Sequence, residues 1–270
     1  MDAITLDIGG AALGARSWPG GEGRPVLLAH GLSSNARLWD GVAGHLVDAG
    51  HPVVAVDLRG HGTSAAVPGT GEDPTRQAAA DLAAACGVLG WDAPVVAGQS
   101  WGGNVVVQLA ADRPDLVHGL ALVDGGWLHL ADRWPTVDAA WEVLAPPHFD
   151  GLTASALRER LRDGHPGWSD AAIDATAANL EEHVDGTVTP WLTRERHRAI
   201  VQSMHAQHPR ELYPMITCPV LLLVAGTAHA LVEEAAAGLA RAKVVEFPGG
   251  DHDLHAQHPD RVATLIGELA

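Results

Sequence analysis

Short apolar runs alternate with longer stretches of helical periodicity along most of this chain. Residues 26–29, 53–57, 95–97, 120–124, 220–225 and 244–247 read as buried strands, each closed by glycine or a polar turn. Between them, apolar positions three and four apart predict helices over 36–49, 75–89, 105–111, about 231–240 and about 259–269. Residues 4–8 and 12–18, joined by Gly9-Gly10, predict a hairpin, and residues 68–74 read as a loop. The expected fold class is α/β: a mainly parallel sheet with helices on both faces and an antiparallel edge from the hairpin.

Between residues 127 and 213 the alternation stops. No strand-like run is visible there, and helical patterns at 136–144, 153–162, 169–183 and 193–208 are separated by Pro146-Pro147, His165-Pro166-Gly167 and residues 186–190. This predicts a helical cap, residues 127–213, inserted into a core made of residues 1–126 and 214–270. Trp127, Trp134, Trp141, Trp168 and Trp191 lie in it, more than half of the chain's 9 tryptophans. Such rings suit the wall of an apolar pocket, or pack the cap onto the core.

In open α/β sheets, sites form beyond the carboxyl ends of the strands. His30, Asp57, Ser100 and Asp124 all fall there. Ser100 stands in Gly98-Gln99-Ser100-Trp101-Gly102, between a strand and a helix. A serine on so sharp a turn has a strained backbone, and side chains two residues before and after it would collide. The glycines relieve that, and Ser100 is the candidate nucleophile. It needs a general base, and the base needs an acid behind it. His252, in the glycine-rich loop after the last strand, is the candidate base. His255 is its rival and is expected to face outward. The amides of Trp101 and Leu32 are the candidate oxyanion donors, with His30 bracing the Leu32 loop. Trp127, Leu128, Trp191 and Ser33 are the candidate substrate contacts.

The chain resembles the α/β-hydrolase fold family over nearly its whole length. The residues that carry the resemblance are His30-Gly31, Asp57-Leu58-Arg59-Gly60-His61-Gly62, Gly98-Gln99-Ser100-Trp101-Gly102-Gly103 and Gly250-Asp251-His252-Asp253-Leu254-His255. The resemblance implies a sheet of about eight strands and hydrolysis through an acyl-enzyme. Most members carry the acid three residues after the glycine that here is Gly226, where this chain has His229. A minority, such as haloalkane dehalogenases and zearalenone-type lactonases, carry it one strand earlier. The matching residue is Asp124, which becomes the expected acid, with Glu233 and Glu234 in reserve.

Composition narrows the partners. With 17 basic against 33 acidic residues, the 270-residue chain has a formal charge of −16, which argues against nucleic acid and anionic membranes. No apolar run is long enough to span a bilayer. The first residues lack the basic-then-apolar pattern of a secretory signal, so a cytoplasmic location is expected. Cys86 and Cys218 read as free thiols. His197, His205 and His208 lie among arginines and read as a solvated helix face rather than metal ligands. Neither metal nor cofactor is expected, and monomer and homodimer both remain open.

The expected function is a serine hydrolase cleaving a carboxylic ester or lactone of a small, largely apolar or aromatic molecule. The same triad could serve C–C bond or amide hydrolysis, or acyl transfer and cyclisation. Outside enzymes, the alternative is a small-molecule receptor of this fold. Serine in place of aspartate at position 100 argues against dehalogenase and epoxide hydrolase chemistry.

Overall fold

A computed structural model describes residues 1–69 and 73–270. Part of the loop expected at 68–74 therefore lies outside the described residues. The main sheet has eight strands: β1 (Asp2–Asp7), β2 (Ala12–Trp18), β3 (Val26–Ala29), β4 (Val53–Val56), β5 (Val95–Gln99), β6 (Gly119–Val123), and two further on named β9 (Val220–Ala225) and β10 (Ala242–Phe247). Their order is β1-β2-β4-β3-β5-β6-β9-β10. β1 pairs antiparallel with β2, and β2 with β4. The other pairings are parallel.

Alternation along the strands explains why they read as unbroken apolar runs. Leu27, Val54, Val96, Leu122 and Leu222 face one layer of core, while Leu28, Ala55, Ala97, Val123 and Leu223 face the other. Because side chains of a strand alternate and both faces are covered, nearly every position of the inner strands β3–β6 and β9 is apolar, whereas the edge strands β1 and β10 are largely exposed. Helices α2 (Pro74–Leu89) and α3 (Trp101–Asp112) cover the first face; α1 (Asp40–Asp48) and the last helix (Pro259–Gly267) cover the second. Asp73 caps α2 by accepting the Thr75 and Arg76 amides, and left-handed Gly90 ends it. Residues 36–49 do not form one helix: Ala36–Trp39 is a 3-10 turn, and α1 begins at Asp40. Cys86 and Cys218 are free, and burial pushes both thiols up to about 11.

Between β6 and β9 the chain leaves the sheet and forms α4 (Leu130–Arg133), α5 (Val137–Leu144), α6 (Ala154–Gly164), α7 (Asp170–Ala177), α8 (Arg194–Ala206) and α9 (Pro209–Leu212). Thr136, Thr153, Ser169 and Thr193 cap four of these through their side-chain oxygens. The expectation that this segment holds no strand is wrong. α7 stops at Ala177, and β7 (Leu180–Glu182) pairs antiparallel with β8 (Val188–Pro190). Asp185-Gly186, with Gly186 at φ 80°, turns the hairpin, and Asp185 accepts the Thr187 amide. β-Branched Thr187-Val188-Thr189 then favours extended backbone over helix.

Both crossings into this insert are tied to α3. Asn104 donates to the Leu128 carbonyl and to Gln207 Oε1, and its own Oδ1 accepts the Gly126 amide. Gln207 donates back to the Asn104 carbonyl.

Candidate active site

Ser100 sits between β5 and α3 at φ 53°, ψ −121°, a conformation that costs a non-glycine residue roughly 1–3 kcal/mol. Its neighbours explain how the turn closes. A Cβ on Gly98 would lie 2.2 Å from the Gly102 carbonyl oxygen, and one on Gly102 would lie 2.5 Å from that of His30. Only hydrogen fits at either position. The Ser100 amide donates to the Val123 carbonyl (3.0 Å), so the turn is fastened to the end of β6.

Asp124 follows at that same end, itself at φ 44°. Its Oδ1 accepts the Ala225 amide at 3.1 Å, and its Oδ2 accepts His252 Nδ1–H at 2.6 Å. That bond fixes the tautomer, leaving Nε2 of the neutral ring as an acceptor. Gln99 Nε2 donates to the His252 carbonyl at 3.1 Å, so the residue before Ser100 holds the backbone of the histidine. Burial opposes protonation of His252, but the bond to Asp124 and the fields of Asp124, Asp253 and Asp251 outweigh it. The pKa is raised above the ordinary imidazole value. Glu233 is exposed and Glu234 pairs with Arg210 at 3.2 Å; the carboxylate that bonds His252 is Asp124.

The loop after β3 is built on neutral histidines. His30 is fully buried; its Nδ1–H donates to the Gly31 carbonyl (2.8 Å), and its Nε2 accepts the Leu58 amide (3.0 Å). His61 repeats the pattern, donating to the Arg59 carbonyl and accepting the Ser33 amide at 3.2 Å. Burial lowers the pKa of both, and neutral rings suit both bonding patterns. Asp57 accepts the Ala36 and Thr63 amides and the Thr63 hydroxyl, which makes it the knot of the underlying turn. Gly31 lies against Ser100: a Cβ there would be 3.0 Å from Ser100 Cβ. The Ser33 amide is committed to His61. Among the described residues, the Leu32 and Trp101 amides have no protein acceptor. One open N–H group thus belongs to the Ser100 turn and the other to the loop whose Gly31 lies against it.

A cavity of about 350 Å³ opens beside this loop, lined by Ser33, Ser34, His61, His197, Trp191 and a wall of apolar residues from the insert. Ser33 Oγ and His197 Nδ1 hydrogen-bond in its wall at 3.0 Å. Trp127 and Leu128 are not brought there. Trp127 is buried near Tyr213, and the Leu128 carbonyl accepts from Asn104.

Two expectations about histidines are corrected. His255 does not face outward: it is fully buried against Trp39, ring centroids 4.5 Å apart, and burial depresses it to about 3. The histidines of α8 are not a solvated face: His197 is buried and His205 Nε2 bonds the Trp134 carbonyl, whereas His208, past the helix end, is exposed with its ring tilted against His129. Arg194 and Arg210 are exposed as well, while Arg196 and Arg198 are half-buried, a split that periodicity without partners could not reveal. Among the described residues no group of three or more His, Cys, Asp or Glu is arranged to hold a metal ion, and no helix is long and apolar enough to cross a membrane.

Residues 26–265 match the model of the alpha/beta hydrolase family. Lipase LipV of Mycobacterium tuberculosis is 36% identical over 173 residues, 63% of this chain and 60% of the relative. An esterase of the same species is 41% identical over 113 residues, 42% of this chain and 36% of the relative. The chain thus spans less than two thirds of the length of either. A serine hydrolase-like protein of Danio rerio matches more widely but at 25% identity, over 93% of this chain and 83% of its own. Among solved structures, E-2-(acetamidomethylene)succinate hydrolase superposes with a TM-score of 0.83 at 25% identity, covering 99% of this chain and 98% of that one.

Proposed function

Because the chain belongs to the α/β-hydrolase family, we propose that it is a serine hydrolase that cleaves a carboxylic ester or lactone of a small, uncharged, largely apolar molecule. The observation that carries this reading is the 2.6 Å bond from His252 Nδ1 to Asp124, at the strand end to which the Ser100 turn is fastened. Ser100 Oγ attacks the carbonyl carbon while its proton passes to His252 Nε2. The Leu32 and Trp101 amides stabilise the oxyanion, each worth roughly 3–4 kcal/mol of barrier. The tetrahedral intermediate then expels the alkoxide, which takes the proton from His252. Water, deprotonated by the same ring, releases the acid and restores the serine. For a lactone the two products are one hydroxy acid.

The substrate's remaining portion enters the cavity past Ser33, two residues beyond Gly31; Ser100, His252 and Asp124 stand outside its lining, so the scissile group lies at its Ser33 end. Its volume of about 350 Å³ suits a short acyl chain or a ring. Among the described residues, no carboxylate, ammonium or guanidinium lines it, and burial keeps His61 and His197 neutral. A charged group there would lose its hydration with no counter-charge. Residues 127–213 act as its lid.

The test is twofold. A fluorophosphonate should label Ser100 stoichiometrically, and p-nitrophenyl butyrate should be turned over many times, with Ser100→Ala abolishing both. Binding of the ester without multiple turnover would favour the receptor reading instead.

A further inference from the structure

Outside the triad, one group of contacts links the insert directly to the loop that carries the base. Asp251 Oδ1 accepts the Asp253 amide at 3.0 Å, a side-chain turn with His252 at its centre. The other oxygen, Oδ2, accepts Trp168 Nε1–H at 2.9 Å. Trp168 belongs to the insert, between α6 and α7. It is stacked on His165 with ring centroids 4.0 Å apart, and it packs with Leu38 and Ala256 of the core. The Asp251 amide is tied in turn to Gln257 Oε1 at 2.8 Å. His252 is therefore held from below by Gln99, at its ring by Asp124, and across its own turn by Asp251.

We propose that Asp251 is a positioning residue for His252, and that Trp168 of the insert completes its hold on the base. The turn fixes the backbone from which the ring projects. The indole N–H fixes the carboxylate that makes the turn. Base orientation thus depends on the insert being seated, so a seated lid and a competent base come together. The charged and titratable groups facing His252 are Asp124 after β6, Asp251 and Asp253 in its own loop, and His255 behind it; His165 of the insert faces Asp251, with 3.7 Å from its Nδ1 to Oδ2. This inference rests on the hydrolase reading for its kinetic arm only.

The experiment compares Trp168→Phe, Asp251→Asn, Asp251→Glu and the Trp168→Phe/Asp251→Asn double variant in the full chain. Two readouts are taken: NMR titration of the His252 ring, and kcat and KM for p-nitrophenyl butyrate across pH. Asp251→Asn keeps an acceptor for the Asp253 amide but loses the charge, so the His252 midpoint should fall by about half a pH unit. Asp251→Glu restores the charge and the midpoint. Trp168→Phe keeps ring and charge, leaves the midpoint closer to the parent, and lowers kcat about 3–10-fold with KM within about twofold. The double variant should be no slower than the worse single one, because both remove one contact. Multiplicative losses in the double variant would overturn the proposal, as would single variants with parental kcat. So would an Asp251→Asn variant whose melting temperature falls while the His252 midpoint stays put. If the parent neither hydrolyses esters nor reacts with fluorophosphonate, the functional reading fails, and the titration alone still decides the role of Asp251.

Discussion

Replacing Asp124 by asparagine is the sharpest perturbation of this site, because the structure dictates how the amide must sit. Oδ1 accepts the Ala225 amide and Oδ2 faces His252 Nδ1. An asparagine has one acceptor and one donor end. Its oxygen keeps the Ala225 bond, since a buried amide left unpaired is costly, and its NH2 group then points at His252 Nδ1. The imidazole must turn acceptor there and carry its proton on Nε2, where it cannot take one from Ser100. In serine proteases the same exchange lowers kcat roughly 10⁴-fold, which at 1.36 kcal/mol per decade is about 5.5 kcal/mol of barrier. The fold should survive, because asparagine tolerates the left-handed backbone of this position, φ 44°. The assay is kcat for p-nitrophenyl butyrate, with thermal melting as the control and Glu233→Gln as the comparison. Asp124→Asn within tenfold of the parent, with Glu233→Gln collapsing turnover, would refute the reasoning.

Two further outcomes concern pH. The base must be neutral to act, and although desolvation of the ring opposes it, the carboxylates around the partly exposed His252 raise its pKa. The acid limb of kcat/KM should therefore lie above the ordinary imidazole value of about 6.5, and a limb at or below that value would contradict the site electrostatics. His255 works in the opposite sense on stability. Its folded pKa is depressed to about 3, so the unfolded chain binds its proton first on acidification, and stability is lost as pH falls below the ordinary imidazole value. His255→Leu should remove that loss: between pH 7 and pH 5 the parent should lose about 2 kcal/mol more than the variant in urea unfolding. The raised pKa of His252 contributes with the other sign, present at low pH and fading as pH rises through the shifted value.

Much of this arrangement was legible in the residues alone. The strands were visible because burial on both faces leaves no room for polar positions, and the Ser100 turn was visible because its glycines are sterically required. The insert was harder. Its hairpin hides in short segments with little burial, and Asp185-Gly186 was the one local signal for it. The cavity contacts were harder still. Ser33 and Trp191 line it, whereas Trp127 turns into the core beside Tyr213, and nothing in tryptophan spacing distinguishes these fates. His61, His197, Gln99 and Trp168 act through partners more than 25 residues away, which a linear pattern does not encode.

The position of the carboxylate follows from sheet order rather than from the loop that lacks one. β6 lies between β5, which ends at the serine turn, and β9, whose following turn carries an exposed His229 and no carboxylate. The loop that carries His252 comes after β10, beyond β9, and must reach back toward β5. Any residue at the end of β6 is on that path. An aspartate there is fastened twice to β9, its own amide to the Leu223 carbonyl and its Oδ1 to the Ala225 amide. It therefore meets the imidazole already oriented, with its free oxygen forward. A carboxylate after β9 would have to come from a turn in which Gly226 stands at φ 77° and Thr227 and His229 are exposed. In the proposed mechanism the chain can dispense with an acid in that turn, because Asp124 at the neighbouring strand end offers the imidazole a better-anchored carboxylate.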